Sequence, residues 1–318
     1  MPPEPFLHQR SDFADLIRIV AEDRGLLPAL VEKDYWIMHC LYGLGVQGFG
    51  FELKGGTSLS KGFGIIQRFS EDIDIRIDPV CAPFEVFTAP HQTKKARHIE
   101  SRQQFYDWLA DNIHIEGISG IVRDHAFDDG KFRSGGIRLH YASALDYPVS
   151  LKEGILLEVG FDDTLPNMRQ TISSWAFERA TDAGIAIADN RAMDVPCYHP
   201  GYTFVEKLQT VSTKFRQQQD NGALPPNFLR HYYDISQLLG HPDVAAFIGT
   251  PAYHARKVQR FRKGDNLVIA ENQAFLLSDA ATREQYTIAY QATAALYFGG
   301  QPPFDAVLAT IEKWIDRL

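Results

Sequence analysis

Apolar residues Phe13, Leu16, Ile17 and Val20 recur at the three-and-four spacing of one helix face, which predicts a helix over DFADLIRIVAEDRG with Ser11 as its N-cap; Pro28 opens a second through EKDYWIMHCLYGL. The period then shortens. FELK reads as a short strand, followed by a Gly-Gly turn, a helix around Leu59, Phe63 and Ile66, and the strand DIDIRI, in which apolar and polar positions alternate strictly. A basic helical segment from Lys94 to Leu109 precedes three further strand patterns, IRLHYAS, GILLEVGF and MRQTISSW. From Tyr202 the helical period returns in FVEKLQTVSTKF, FLRHYYDISQLL, HARKVQRFRK, REQYTIAYQATAALYF and FDAVLATIEKWI. The periodicity breaks at VPCYHPG, Pro196 to Pro200, which predicts two domains, residues 1–198 and 199–318.

Composition narrows the class without naming a function. The chain has 318 residues, 45% hydrophobic and 23% charged, enough for a sizeable core. No apolar run approaches the roughly 18–20 residues needed to span a bilayer, and MPPEPFLHQR lacks the layout of a signal peptide, so a cytoplasmic location is expected. Cys40, Cys81 and Cys197 are scattered, without zinc or disulfide spacing, and read as reduced core thiols. The histidines show no HExxH and no GxSxG occurs, which argues against zinc hydrolysis and a serine nucleophile elbow. A net charge of −8 leaves a local basic groove open.

The chemistry concentrates in KGGTSLSKGFGIIQRFSEDIDIRI, Lys54 to Ile77. On a strand, residues i and i+2 share a face, so Asp72 and Asp74 project together while Ile73 and Ile75 enter the core. Paired carboxylates repel and raise the pKa of one of them unless a cation lies between, and a hard divalent ion with oxygen ligands suits the pair; magnesium is the first choice and manganese the second. Gly55 and Gly56 permit a tight turn with close backbone approach, and Thr57 and Ser58 are expected to cap the next helix, whose N-terminus offers an anion site for a phosphate. Together these parts describe an NTP held at a turn and a helix end with its metal on the neighbouring strand. A lone DxD arises by chance and Gly-Gly-Thr-Ser is also an ordinary helix start; their order along the chain favours the joint reading. In GILLEVGF, Glu158 alternates with Leu157 and Val159, as a third metal ligand or as a solvent-facing edge acid, the ligand being favoured. Asp162 and Asp163 read as loop acids.

This stretch resembles motif I of the AbiEii/AbiGii toxin family, a branch of the DNA polymerase β-like nucleotidyltransferases. VEKDYW, Val31 to Trp36, is similar to the segment that precedes the motif, and FVEKLQTV with Lys207 and RHYYDISQLL with Asp234 resemble its downstream Lys and Asp motifs, in the same order. Residues 57–71, between Gly56 and Asp72, form a longer gap than is usual in the superfamily, one that suits this branch. The resemblance implies an α+β fold with two lobes: a mixed sheet flanked by helices, then a helical lobe. It implies Asp72, Asp74, Glu158, Lys207 and Asp234 as catalytic residues, and Gly55, Gly56, Thr57, Ser58 and Lys207 as nucleotide-binding ones. From its own sequence Lys207 borders an apolar stripe, as a phosphate-facing cation or a snorkelling surface lysine. Asp234 also borders a stripe, with Arg230 one turn earlier as an alternative ion-pair partner; the resemblance makes Asp234 the residue that orients Lys207 or the nucleotide. Lys33 and Asp34 read as an ionic brace; Ser70 is placed to hydrogen-bond the backbone of the turn and Arg68 to pair with a carboxylate or a phosphate, and neither receives a catalytic role.

The resemblance further implies transfer of a nucleotide that blocks growth, with the tRNA 3′ end as acceptor in some members, and a cognate antitoxin encoded nearby that need not bind stably. Basic runs at Lys94 to Arg102 and His254 to Lys263 are candidate banks of an RNA groove, with Tyr253 and Phe261 placed to stack on bases; a solvated helix face is the alternative. Two other classes stay open: a kinase-like or protein-nucleotidylating enzyme, and a non-catalytic nucleotide-binding regulator.

Overall fold

The computed structural model describes residues 3–89, 95–145, 153–225 and 227–318. Two compact units emerge: Met1–Phe63 with Phe69–Tyr198, and Gly64–Arg68 with His199–Leu318.

In the first unit, α1 (Phe13–Arg24) buries Phe13, Ile17, Val20 and Ala21 along one face and stops where Gly25 turns left-handed at φ 64°. Its N-cap is Asp12 rather than Ser11, with no side-chain cap bond. The next helix, α2 (Pro28–Val46), starts on proline and is buried almost all round, Glu32, Lys33 and Asp34 included. It packs against the sheet and against α1.

That sheet has seven strands, β1 (Phe51–Lys54), β2 (Asp72–Ile77), β3 (Ile118–Asp124), β4 (Ser134–Tyr141), β5 (Ile155–Gly160), β6 (Asn167–Ile172) and β7 (Ala192–Tyr198), in the order β3-β4-β5-β2-β1-β7-β6. It is mixed: β2 runs parallel to β5 and β1 to β7, and the other pairings are antiparallel. Alternation in β2 sends Ile73, Ile75 and Ile77 into the core, and β5 buries Ile155, Leu156, Leu157 and Val159, as a strand covered on both faces does. Two strands, β3 and β7, go beyond the sequence reading. The stretch taken only as a break in periodicity holds the second half of β7, Val195 to Tyr198, and its Pro196 pairs with Arg169 of β6.

The helix expected after the Gly-Gly turn is much shorter. A three-residue α3 (Gly55–Thr57) passes into a π-helical turn, Ser58–Gly62, and Ile66 belongs to the second unit. Two more helices, α4 (Ala96–Asn112) and α5 (Trp175–Asp182), complete this unit; Lys94 lies outside the described residues. Cys40 and Cys197 are free and buried, whereas Cys81 is only half-buried and does not belong to the core.

The second unit is helical: α6 (Pro200–Asn221), α7 (Arg230–Leu239), α8 (Pro242–Phe247), α9 (Pro251–Arg260), α10 (Gln273–Leu276), α11 (Ala280–Gln291) and α12 (Phe304–Glu312). Phe204, Val205, Leu208 and Val211 make the buried face of α6, which packs against α7, α8, α9 and α10. Among the described residues no helix is long and apolar enough to cross a membrane.

Candidate functional site

Register, read strand by strand, assembles the acids. Lys54 of β1 lies opposite Asp74 of β2, and Asp74 lies beside Glu158 of β5, with Gly136 of β4 next in line. Cross-strand neighbours point to the same face, so Lys54, Asp74 and Glu158 form one row across the sheet, with Asp72 on the same face two residues along β2. Asp72 and Asp74 are half-buried. Repulsion from Asp74, then burial, pushes the Glu158 carboxyl up to about 7, with Lys54 pulling the other way. The Asp72 Oδ1 atom is buried without a hydrogen-bond partner. Among the described residues no three His, Cys, Asp or Glu side chains are gathered as a ready-made metal group.

The Gly-Gly turn supports this row directly. Gly55 sits at φ 71°, and a Cβ there would collide with the Asp74 carboxylate, so glycine both makes the turn and leaves room for the acid. The hydroxyls expected to cap a helix do something else. Thr57 and Ser58 are 1% and 0% exposed, neither makes a cap bond, and the Thr57 hydroxyl donates to the Asp72 carbonyl at 2.5 Å.

On α2, Lys33 and Asp34 brace the same region through separate partners. Buried Lys33 faces Glu71 at 3.6 Å, and burial lowers its pKa against the pull of Glu71 and Asp72. Asp34 accepts from Lys61 at 2.9 Å and from the Trp175 backbone N–H at 2.8 Å, and the Lys61 ammonium lies 4.8 Å from the centre of the Trp175 ring. A cavity of about 540 Å³ opens at the other end of β1 and β2, where Glu52 pairs with Arg76 at 3.1 Å; it contains none of the acids of the row.

The second unit holds a different ionic centre. Asp234, 0% exposed, accepts from Arg68 Nε at 2.6 Å on one oxygen and from Arg68 Nη2 at 2.7 Å and Lys207 Nζ at 2.8 Å on the other. Burial alone would push this carboxyl up; the charges of Arg68 and Lys207 overcome it and hold Asp234 well below the usual carboxylate range. Lys207 is buried rather than snorkelling, its pKa lowered by burial against the pull of Asp234, and half-buried His231, 3.4 Å away, has its pKa held well below the ordinary value by desolvation and then by the Lys207 charge. Asp234, expected at the border of the buried stripe, is therefore itself fully buried inside the unit.

The stacking residues expected of an RNA groove are structural. Tyr253 is buried and donates to the Leu318 carbonyl at 2.7 Å, and Phe261 is also buried. In the same run Arg256 and Arg260 reach Glu206 at 2.7 and 3.6 Å, and the Lys257 ammonium donates to Leu318. In the other run, Arg102 is buried and donates to the Lys131 and Phe87 carbonyls. Lys54, in register with the acids, was not singled out from the sequence, and Arg68, which was read as a partner for a carboxylate or a phosphate, pairs with the carboxylate of Asp234. A signal for Lys54 existed: counted back from the Gly-Gly turn, it ends the strand that precedes the acids.

A family model described as "Nucleotidyl transferase AbiEii toxin, Type IV TA system" matches residues 44–310. Among solved structures the chain is similar to MenT4, a nucleotidyltransferase toxin from Mycobacterium tuberculosis H37Rv, at 17% identity over 93% of this chain and 98% of that one, with a TM-score of 0.39. No curated protein matches it.

Proposed function

This chain belongs to the AbiEii family of nucleotidyl transferase toxins of type IV toxin–antitoxin systems, and from that premise we propose that it moves a nucleoside monophosphate from an NTP onto RNA, at the tRNA 3′ end, and so arrests growth. The observation that carries the proposal is the row Lys54, Asp74, Glu158 with Asp72 beside it: half-buried carboxylates in register on adjacent strands, one of them with an orphaned oxygen. Such a donor set, all oxygen and short of positive charge, fits a hard divalent cation, magnesium first and manganese second, with Asp72, Asp74 and Glu158 as its holders. Bound there, the metal would supply charge neutralisation for the transferred phosphoryl group, with Asp72, Asp74 and Glu158 holding it.

The chain's own residues do the rest. Asp74 is held against Gly55, and the Asp72 backbone is held by Thr57, so the acids are set before substrate arrives. Because the Thr57 and Ser58 side chains are buried and the Ser58 N–H is bonded to the Gly55 carbonyl, phosphate contacts at this turn would fall to the backbone N–H groups of Gly55, Gly56 and Thr57. For Lys207 and Asp234 the support is their place in the family's downstream motifs: Lys207 as a cation for phosphate, Asp234 as the carboxylate that orients it. The acceptor hydroxyl oxygen attacks the α-phosphorus, the bond to the bridging oxygen of pyrophosphate breaks, pyrophosphate leaves with that electron pair, and the hydroxyl proton passes to a carboxylate of the row or to water. A cognate antitoxin encoded nearby would counter the outcome without needing a stable complex.

The test is incubation of the protein with each α-labelled NTP, total RNA and magnesium. Label on RNA, lost on adding EDTA, is expected. Label on protein instead selects the protein-nucleotidylating alternative, and NTP bound without turnover selects the regulator.

A further inference from the structure

Between the Gly-Gly turn and β2 the backbone changes allegiance: residues 64–68 belong to the helical unit, while Phe63 and Phe69 belong to the other. This strap is anchored along its length. Ile66 is buried, the Gln67 N–H donates to Tyr233 Oη at 3.0 Å, the Gln67 carbonyl accepts from the Phe298 N–H at 3.1 Å, and Arg68 forms an antiparallel bridge with Tyr297. The strap ends on the guanidinium of Arg68, 1% exposed, whose fork takes both oxygens of Asp234.

A planar fork fixes the plane of its carboxylate; an ammonium, a point charge on a flexible stem, does not. Asp234 Oδ2 is shared between Arg68 and Lys207, so the angle at which that oxygen meets the Lys207 ammonium is set by Arg68. Without the fork the carboxylate would be free to rotate, and its whole charge would fall on Lys207.

We propose that Arg68 is a positioning residue for nucleotidyl transfer: its fork on Asp234 aims Lys207 and pins the strap into the helical unit. This deepens the reading of Lys207 as a phosphate contact and rests on it. The test is Arg68→Lys, which keeps the charge and loses the fork, made alone and in a Lys207→Gln background. Expected are a rise in the KM for NTP of 10-fold or more with kcat changed less than 3-fold, amide exchange at Gln67 and Arg68 at least 10-fold faster, and no further rise in KM from Arg68→Lys once Lys207 is gone. An unchanged KM, or an equal rise in both backgrounds, overturns the route through Lys207; unchanged exchange overturns the pinning of the strap. Should Arg68→Lys not fold, the double variant Arg68→Gln with Asp234→Asn removes both charges while keeping a hydrogen-bonded pair, and the same KM rise is expected of it, a wild-type KM again overturning the proposal. Wild-type protein that labels no acceptor overturns the transfer reading, separately from the exchange rates.

Discussion

Asp74 and Glu158 stand side by side on neighbouring strands with Lys54 as the one cation in their row, whereas Asp234 is gripped by Arg68 and Lys207 at 2.6–2.8 Å. Both regions are built from buried or half-buried acids, but their charge balance is opposite. In the sheet, like charges are forced together, and the cost appears in a Glu158 carboxyl raised to about 7. Among the helices, the acid is matched by two cations and held well below the ordinary range. A fold tolerates the first arrangement only where something else supplies the missing charge, and it keeps the second because breaking it would strand a buried ion.

This contrast makes the two centres respond oppositely to mutation. The largest effect is expected from Asp74→Asn: transfer should fall by about 10³-fold or more if the proposed metal-holding role is right, because a charge-stabilising carboxylate is lost. The melting temperature of the metal-free protein should hold or rise, since repulsion is relieved; a fall in stability matching the fall in activity would break the comparison. Next comes Asp234→Ala, which leaves Arg68 and Lys207 buried without their carboxylate and should cost about 3–5 kcal/mol in denaturant unfolding.

A smaller effect sharpens the first centre through pH. Because the folded-state pKa of Glu158 lies above its ordinary value of 4.5, the folded protein binds this proton more tightly than the unfolded chain does. Its contribution to stability is therefore fully present below 4.5 and is lost as pH rises through about 7. In metal-free protein the Glu158→Gln variant should overtake wild type in stability by about 1–3 kcal/mol at pH 8 and lose that advantage near pH 5, read by unfolding at the two pH values. Added magnesium should close the gap at pH 8 by stabilising wild type alone. The smallest effect is expected at Tyr253→Phe, which removes one buried hydrogen bond to Leu318 and should cost about 1 kcal/mol in unfolding while leaving RNA labelling unchanged; a loss of labelling would return Tyr253 to the acceptor's path.

How legible each centre was in the sequence follows from how it is built. The acidic pair rests on the two-residue period of a strand, a local property, so Asp72 and Asp74 could be placed on one face from DIDIRI alone, whereas Glu158, readable as a metal ligand or as an edge acid, joins them only through the pairing of β2 with β5. A central sheet followed from the same patterns, and its mixed, helix-flanked form from what the family resemblance implies. What stayed hidden depended on partners far along the chain. The Arg68 fork closes over 166 residues, and no local period announces it. Lys54 gains its place only through strand register, which the sequence does not print. The strand β7 was obscured by Pro196, a residue that usually breaks strands, and β3 by Gly120, which interrupts its apolar run. Thr57 and Ser58 looked like caps because hydroxyls commonly cap helices; here α3 is too short to need them, and the core takes both side chains.

The strap has a genetic corollary. Since five residues of the helical unit, Gly64–Arg68, are encoded inside the stretch that specifies the sheet, no single cut in the gene separates the two. A fragment expressed from His199 onward would lack Arg68 and inherit Asp234 half-neutralised, so the halves of this chain are not interchangeable modules: recombination that swapped one tail for another would succeed only if it carried a compatible arginine from the other side of the junction.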